Sequence, residues 1–404
     1  MIDTDLAATP FEPGAIAPKG FIPLSVPELR GNEWAYVKEC LDTNWVSSAG
    51  PFVNRLEKLV AGYSGNAHGV ATATGTAALH IALLAVGVQP DDEVLTPTLT
   101  FIAPANAIRY AGAWPVLIDV EPEYWQMDPA LVSDFFKREC RWKEGKLINK
   151  TTGRRVKAIL PVHILGHPVD ADTIIQLARD FGLAVIEDAT ESLGAEYKGT
   201  KVGHLGDIAC FSFNGNKIIT TGGGGMIVTD NSDLAERARY LSTQAKDDPI
   251  EYVHKEIGYN YRLTNLQAAL GCAQMEQLDS FIEAKRAISH AYSQGLQVLE
   301  GIESMREASW AYSVYWMYTI LVNEELFGED RRALMQRLSA CGIQSRPLWQ
   351  PLHLSPVYQN AQALLTGSAE SINRRALSLP CSVGLPMTDL NYVVASVSRK
   401  ELTS

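Results

Sequence analysis

Lys217 stands in the run FSFNGNKIITTGGGGMIVTD, residues 211–230, where an apolar and β-branched stretch passes through a polar turn to a lysine and then to four glycines. A primary amine at the end of a buried strand is costly to keep charged, which makes it a usable nucleophile toward an aldehyde. The glycines would leave clearance around it. A solvated loop lysine fits the same segment. Asp188 closes the apolar run of VIEDATESLGA, residues 185–195. Such a carboxylate either caps the next turn or faces a protonated ring nitrogen, stabilising the cation and making the ring an electron sink. Glu191, three residues on, reaches the same ring from the next turn or answers a helix dipole.

TATGTAALH, residues 72–80, reads as a strand, a tight turn and a helix start. Gly75, Thr76 and Ala77 there offer backbone amides to a phosphate, unless Thr74 or Thr76 serves as an ordinary N-cap. Ser212 adds a hydroxyl for that phosphate or bonds its own backbone. Phe101, in TPTLTFIAPANAI, stacks on a planar ring or belongs to the core. Each residue has a plain structural reading. A lysine nucleophile, an aspartate 29 residues before it (217 minus 188) and an amide-rich cup on one sheet are together what pyridoxal phosphate requires.

The elements that must position these groups alternate. HGVATAT, DEVLTP, WPVLIDV, VKAILPVHI, LAVIEDA, DIACFSF and GGMIVTD read as short apolar strands, several separated by helical stretches such as TAALHIALLAVGV and DADTIIQLARDFG. This predicts a mostly parallel sheet covered by helices, with ligands at the strands' carboxyl ends. The charged stretch from Phe135 to Val156 reads as a surface hairpin or loop. After Tyr261 the apolar spacing turns to three and four, predicting a long helix or a pair. The expected division is a flexible arm over 1–20, a large domain over 21–275 and a smaller α+β domain over 276–404.

The chain of 404 residues is 46% hydrophobic and 20% charged, which fits a globular protein with a large core. A net charge of −11 repels nucleic acid and anionic membrane, so an anionic ligand needs locally placed donors. Cysteines at 40, 140, 210, 272, 341 and 381 are scattered, against a disulfide scaffold or a metal site and in favour of a reducing, cytoplasmic setting. The first twenty residues lack the pattern of a signal peptide, and no apolar run is long enough to span a membrane.

TATGTAALH, TPTLTFIAPANAI, PVHILGHPVD, IEDATESLGA, FSFNGNKIITTGGGG and GYNYRLTNLQAALG, in that order, resemble the sugar aminotransferases of the DegT/DnrJ/EryC1/StrS family. The resemblance runs from about Phe21 to the C-terminus. FIPLSVPELRGNE, NWVSSAGPFV, TTGRRVKAILPVH and STQAKDD look still more like its LegC branch, whose members aminate C4 of a nucleotide-linked 4-keto-6-deoxy-N-acetylhexosamine. The resemblance implies an aspartate aminotransferase-like (type I) α/β fold and pyridoxal 5′-phosphate as cofactor. It further implies L-glutamate as donor, a UDP-linked sugar as acceptor, and a homodimer with shared sites serving surface-glycan or nonulosonic acid synthesis.

On matching positions Lys217 is the Schiff-base lysine, Asp188 the partner of the pyridine nitrogen and Phe101 the stacking aromatic. Gly75, Thr76, Ala77 and Ser212 surround the phosphate, and Asn260 reaches it from the other subunit. Glu191 stands where many relatives carry Gln or His near the ring hydroxyl. Trp45, Ser47, His163 and Arg346 are substrate contacts by position, with packing or surface roles open. Two rivals remain, a dehydratase of the same fold, whose relatives replace the lysine by histidine, and a regulatory protein that has lost catalysis. A nicotinamide-binding protein is disfavoured because the glycine run leads into GMIVTD, a strand, and not into a helix.

Overall fold

A computed structural model describes residues 20–248 and 250–398. The expected N-terminal arm, apart from Gly20, lies outside the described residues. Across the main sheet the strands are His68–Thr72, Gly225–Thr229, Ile208–Ser212, Ala184–Asp188, Val156–Ile159, Glu93–Pro97, Trp114–Ile118 and Ala363–Leu364. Only Gly225–Thr229 runs antiparallel to its neighbours. Apart from the half-buried edge strand Ala363–Leu364, these strands are buried along nearly their whole length, the pattern of a sheet covered on both faces. The carboxyl ends of the parallel strands share one edge, where Thr72, Pro97, Asp188 and Ser212 hand the chain over to loops.

A second, antiparallel sheet of four strands contains Ile302–Ser304, Tyr318–Val322, Ala376–Leu379 and Arg346–Pro347. The helix pair expected after Tyr261 is Asn265–Met275 and Leu278–Leu296. The C-terminal part of the chain also returns Ala363–Leu364 to the edge of the large sheet, a crossing that the division at 276 does not anticipate. Two-residue strands carry too little periodicity to be read from sequence. The charged stretch is a hairpin, Cys140–Lys143 with Lys146–Asn149. It is tied to the sheet, since buried Glu93 accepts from Asn149 Nδ2 and Thr152 Oγ1, both at 2.7 Å.

The two sheets meet beside the carboxyl edge. Gly166 has φ +92°, and a β-carbon there would lie 2.7 Å from the Trp316 nitrogen and 2.9 Å from that of Tyr315. Its carbonyl accepts from the Val314 N–H at 3.0 Å and the Ser313 hydroxyl at 3.1 Å. Only glycine meets both the left-handed backbone and the close approach. Gly166→Ala is expected to lower stability by about 2–4 kcal/mol, read as a lower urea midpoint. An unchanged midpoint would show that the joint is looser than this contact implies.

Candidate active site

Lys217 follows the strand Ile208–Ser212 through a short turn, and its side chain is mostly enclosed. Nζ lies 3.5 Å from Glu191 Oε1 and 4.1 Å from the centroid of the Trp316 ring. The Trp316 indole N–H donates to the Asn216 carbonyl at 2.7 Å, fixing the ring beside the lysine. The second Glu191 oxygen accepts from the Leu165 N–H at 2.8 Å. Burial pushes the Glu191 carboxyl up to about 7, with Lys217 and the Leu165 N–H opposing that rise and Asp188 adding to it. Asp188 is buried at the strand end and accepts from the Thr190 N–H at 3.0 Å. Burial raises it above the usual carboxylate range despite the Thr190 bonds and the nearby Lys217 and His163.

Thr74 caps the helix Gly75–Ala85, its hydroxyl accepting from the Ala77 N–H at 3.0 Å. Ala77 therefore does not offer a free donor, correcting its assignment to the phosphate, because the cap has taken that N–H. The Gly75 and Thr76 amides remain among the helix-start donors with no intrahelical acceptor. A β-carbon on Gly75 would lie 2.8 Å from Ser212 Cβ and 3.2 Å from Thr190 Cγ2. One on Gly225 would lie 2.5 Å from the Thr74 carbonyl oxygen. The clearance at Gly225 thus serves the 74–75 turn and not, as the sequence reading has it, the lysine.

Thr76, Phe101, Glu191, Ser212, Lys217 and Trp349 are among the residues lining one cavity of about 310 Å³. Phe101 is 53% exposed and so presents its ring to that space and not to the core. Larger clefts of about 590 and 550 Å³ open elsewhere. Their arginines are engaged by glutamates, Arg306 with Glu123, Arg375 with Glu303 and Arg239 with Glu57, and neither contains Lys217.

Trp45, Ser47, Asn260 and Arg346 are exposed and lie outside the lining of this cavity. Asn265 bonds the backbone carbonyls of Trp45 and Ser47 at 2.8 and 2.6 Å. His163 is a correction. It is fully buried, with Nε2 3.1 Å from Glu187 Oε2 and Nδ1 accepting from the Val169 N–H at 3.0 Å. With no exposed surface and both nitrogens engaged, it has nothing to offer a substrate. Trp316 and Trp349 escaped the sequence reading. Trp349 lies three residues beyond Arg346 in the block GIQSRPLWQPLH, whose aromatic was the available signal.

A family model described as the DegT/DnrJ/EryC1/StrS aminotransferase family matches residues 27–398. The chain belongs to that family. It is 42% identical to the GDP-perosamine synthase of Caulobacter vibrioides, across 94% of this chain and 98% of the relative. It is 39% identical to a Bacillus subtilis protein, EpsN, whose name proposes a pyridoxal phosphate-dependent aminotransferase, across 92% and 93%. Among solved structures, S. venezuelae DesV in complex with a ketimine intermediate superposes with a TM-score of 0.83 at 32% identity, covering 94% and 98%. The family's cofactor is pyridoxal phosphate, and the residues present fit it. Asp188 is a buried carboxylate raised by burial, the state that a ring N–H⁺ would relieve, and Gly75 permits an approach that any β-carbon would block.

Glu191 gives the site a pH dependence. With the folded value near 7 against 4.5 for the free side chain, the folded chain takes up a proton between those values. Its stability is therefore fullest below about 4.5 and falls as pH rises through 7. Glu191→Gln mimics the protonated form, so the cofactor-free variant should gain on wild type as pH rises from 5 to 8, by at most on the order of 3 kcal/mol. Urea unfolding at both pH values reads this, and a difference that stays constant would refute it.

Proposed function

We propose that the chain is a pyridoxal phosphate-dependent aminotransferase that moves the amino group of L-glutamate to C4 of a nucleotide-linked 4-keto-6-deoxyhexose. The observation that carries this reading is the meeting of Lys217, Glu191, Ser212 and the Gly75–Thr76 turn around one cavity, in a chain that matches the family model over residues 27–398.

Bound pyridoxal phosphate supplies an electron sink that lets a proton leave the carbon beside an amine. Lys217 Nζ would hold the cofactor's aldehyde carbon and, once L-glutamate has taken that place, would be the base for the glutamate α proton and, in the second half-reaction, the acid for the sugar's C4. Asp188 would keep the ring nitrogen protonated, the Gly75 and Thr76 amides and the Ser212 hydroxyl would take the phosphate, Phe101 would stack on the ring, and Glu191 would meet the ring hydroxyl.

A GDP-linked acceptor is favoured by the name of the Caulobacter relative; the UDP-linked N-acetylhexosamine expected from the LegC likeness is the alternative. A homodimer with shared sites is part of the same reading. In it Asn260, exposed and outside its own chain's cavity, reaches the partner's phosphate, and sedimentation as a monomer at micromolar concentration would overturn that. Six free cysteines support a reducing, cytoplasmic setting.

The test is incubation with L-glutamate and a panel of GDP-, UDP- and dTDP-linked 4-keto-6-deoxy sugars, with products identified by mass and stereochemistry. An amino sugar is expected from the GDP-linked ketone. Loss of a hydroxyl without amine transfer would favour the dehydratase, and no product from any sugar would remove the acceptor assignment. In the same assay Asp188→Asn should keep the cofactor but turn over on the order of 10²–10⁴ more slowly, the equivalent of about 3–5 kcal/mol for a broken buried pair. Wild-type turnover in that variant would remove Asp188 from its role.

A further inference from the structure

Two tryptophans from the C-terminal part of the chain line the cavity beside Lys217. Their rings are nearly parallel, 12° apart with centroids at 6.3 Å. Phe101 meets Trp349 edge-on at 6.4 Å. An aromatic wall therefore runs from the reacting amine through Trp316 and Trp349 to Phe101.

The wall is stiff. Asn373 Nδ2 donates to the carbonyls of Leu348 and Trp349 at 2.9 and 2.7 Å. The Leu352 N–H donates to the Thr98 carbonyl at 2.8 Å, and the Thr98 hydroxyl lies 2.7 Å from His353 Nδ1. The Trp349 loop is thus pinned between the helix Ser368–Arg375 and the end of the strand Glu93–Pro97. Buried Lys285 donates to the Trp316 carbonyl at 2.9 Å and to that of Cys381 at 2.5 Å. The polar atom of the Trp316 ring is already spent on Asn216, so beyond the contact of its face with Lys217 this ring has no hydrogen bond to offer a substrate.

We propose that Trp349, backed by Trp316, is the specificity-determining platform for the acceptor sugar, with the C5 methyl of a 6-deoxyhexose packed against the indoles. A sugar whose C4 reaches Lys217 brings its C5 and C6 to the same neighbourhood. A methyl loses nothing against an apolar wall, whereas a 6-hydroxyl gives up its water without gaining a partner, a rejection of on the order of 10²-fold. The proposal rests on the aminotransferase reading above, and the two half-reactions separate their failures.

Trp349→Ala and Trp349→Phe, loaded with pyridoxal phosphate, are each followed by the cofactor's absorbance, first with L-glutamate and then with the 4-keto-6-deoxy nucleotide sugar. For Trp349→Ala the sugar step should lose about 10–100-fold in kcat/KM, mainly through KM, while the glutamate step changes less than about threefold. Trp349→Phe, which keeps a ring face, should recover to within about fivefold of wild type. Equal losses in both half-reactions, or a sugar KM within about twofold of wild type in Trp349→Ala, would overturn the platform. Wild-type enzyme that responds to glutamate but aminates no sugar would instead bring down the acceptor assignment and the platform with it.

Discussion

One half-buried amine faces two buried carboxylates at the end of the strand Ala184–Asp188, and the surrounding architecture answers that imbalance. Asp188 and Glu191 are both raised by burial, and Lys217, which opposes the rise in both, pairs directly with Glu191 at 3.5 Å. Unbalanced charge in such a place is strongly destabilising. Part of the compensation is local, because the Thr190 and Leu165 N–H groups each point at a carboxylate oxygen. Lys217 and His163 supply the rest of the opposing charge beside Asp188, and they leave its carboxyl raised. The same strand shows the opposite solution one residue earlier. Alternation turns Glu187 to the other face, where His163 and the N–H groups of Gly203, Leu205 and Gly206 all bond it. Burial alone would raise Glu187, yet these donors hold it below the usual range. Of two adjacent buried carboxylates, one is held below the usual range by donors within the chain and the other stays raised.

That contrast explains which residues the sequence made legible. Lys217, Asp188, Ser212 and the 74–76 turn sit where an apolar run stops and polar or glycine residues begin, and a strand end is a local event that spacing reveals. His163 follows a similar apolar run, PVH, and is a substrate contact only by its position in the family resemblance. The partners that remove it from the surface, Glu187 and the Val169 N–H, come from a neighbouring strand and a loop, and nothing in the run itself announces them. Ala77 was misread more narrowly, since Thr74 was already weighed as a cap and capping consumes an amide that would otherwise be free. The main sheet was read strand by strand because buried parallel strands are continuous apolar runs. Its edge strand Ala363–Leu364 was not, because two residues have no period.

The tryptophans mark a different limit. Trp316 opens the run WMYTILV, just ahead of the strand Tyr318–Val322, and Trp349 shares a block with Arg346. Position in the family resemblance points to Arg346, yet Arg346 is exposed and donates to the adjacent Ser345 carbonyl, while the aromatic three residues on lines the cavity. Their relation to Lys217 is set by the packing of the second sheet against the first, which no single-segment pattern encodes. The need for glycine at 166 likewise comes from the Trp316 backbone packed against it.

The loop 164–167 is where the two parts of the site constrain each other. The Leu165 N–H holds Glu191 on the charged side, and Gly166 holds the backbone of 313–316 on the aromatic side through the Val314 and Ser313 bonds. Leu165 itself adopts φ +58°, a conformation that costs about 1–2 kcal/mol for a side-chain-bearing residue and is sustained by the contacts on either side. Substituting the Trp349 ring alters the wall without touching this loop, because Trp349 is pinned from Asn373 and Thr98 instead. Substituting Gly166 displaces Trp316 and the Leu165 donor together. Charge balance around Lys217 and the shape of the space beside it are therefore coupled at Trp316 and separable at Trp349, so the second indole is where acceptor preference can change while the chemistry of the amine stays in place.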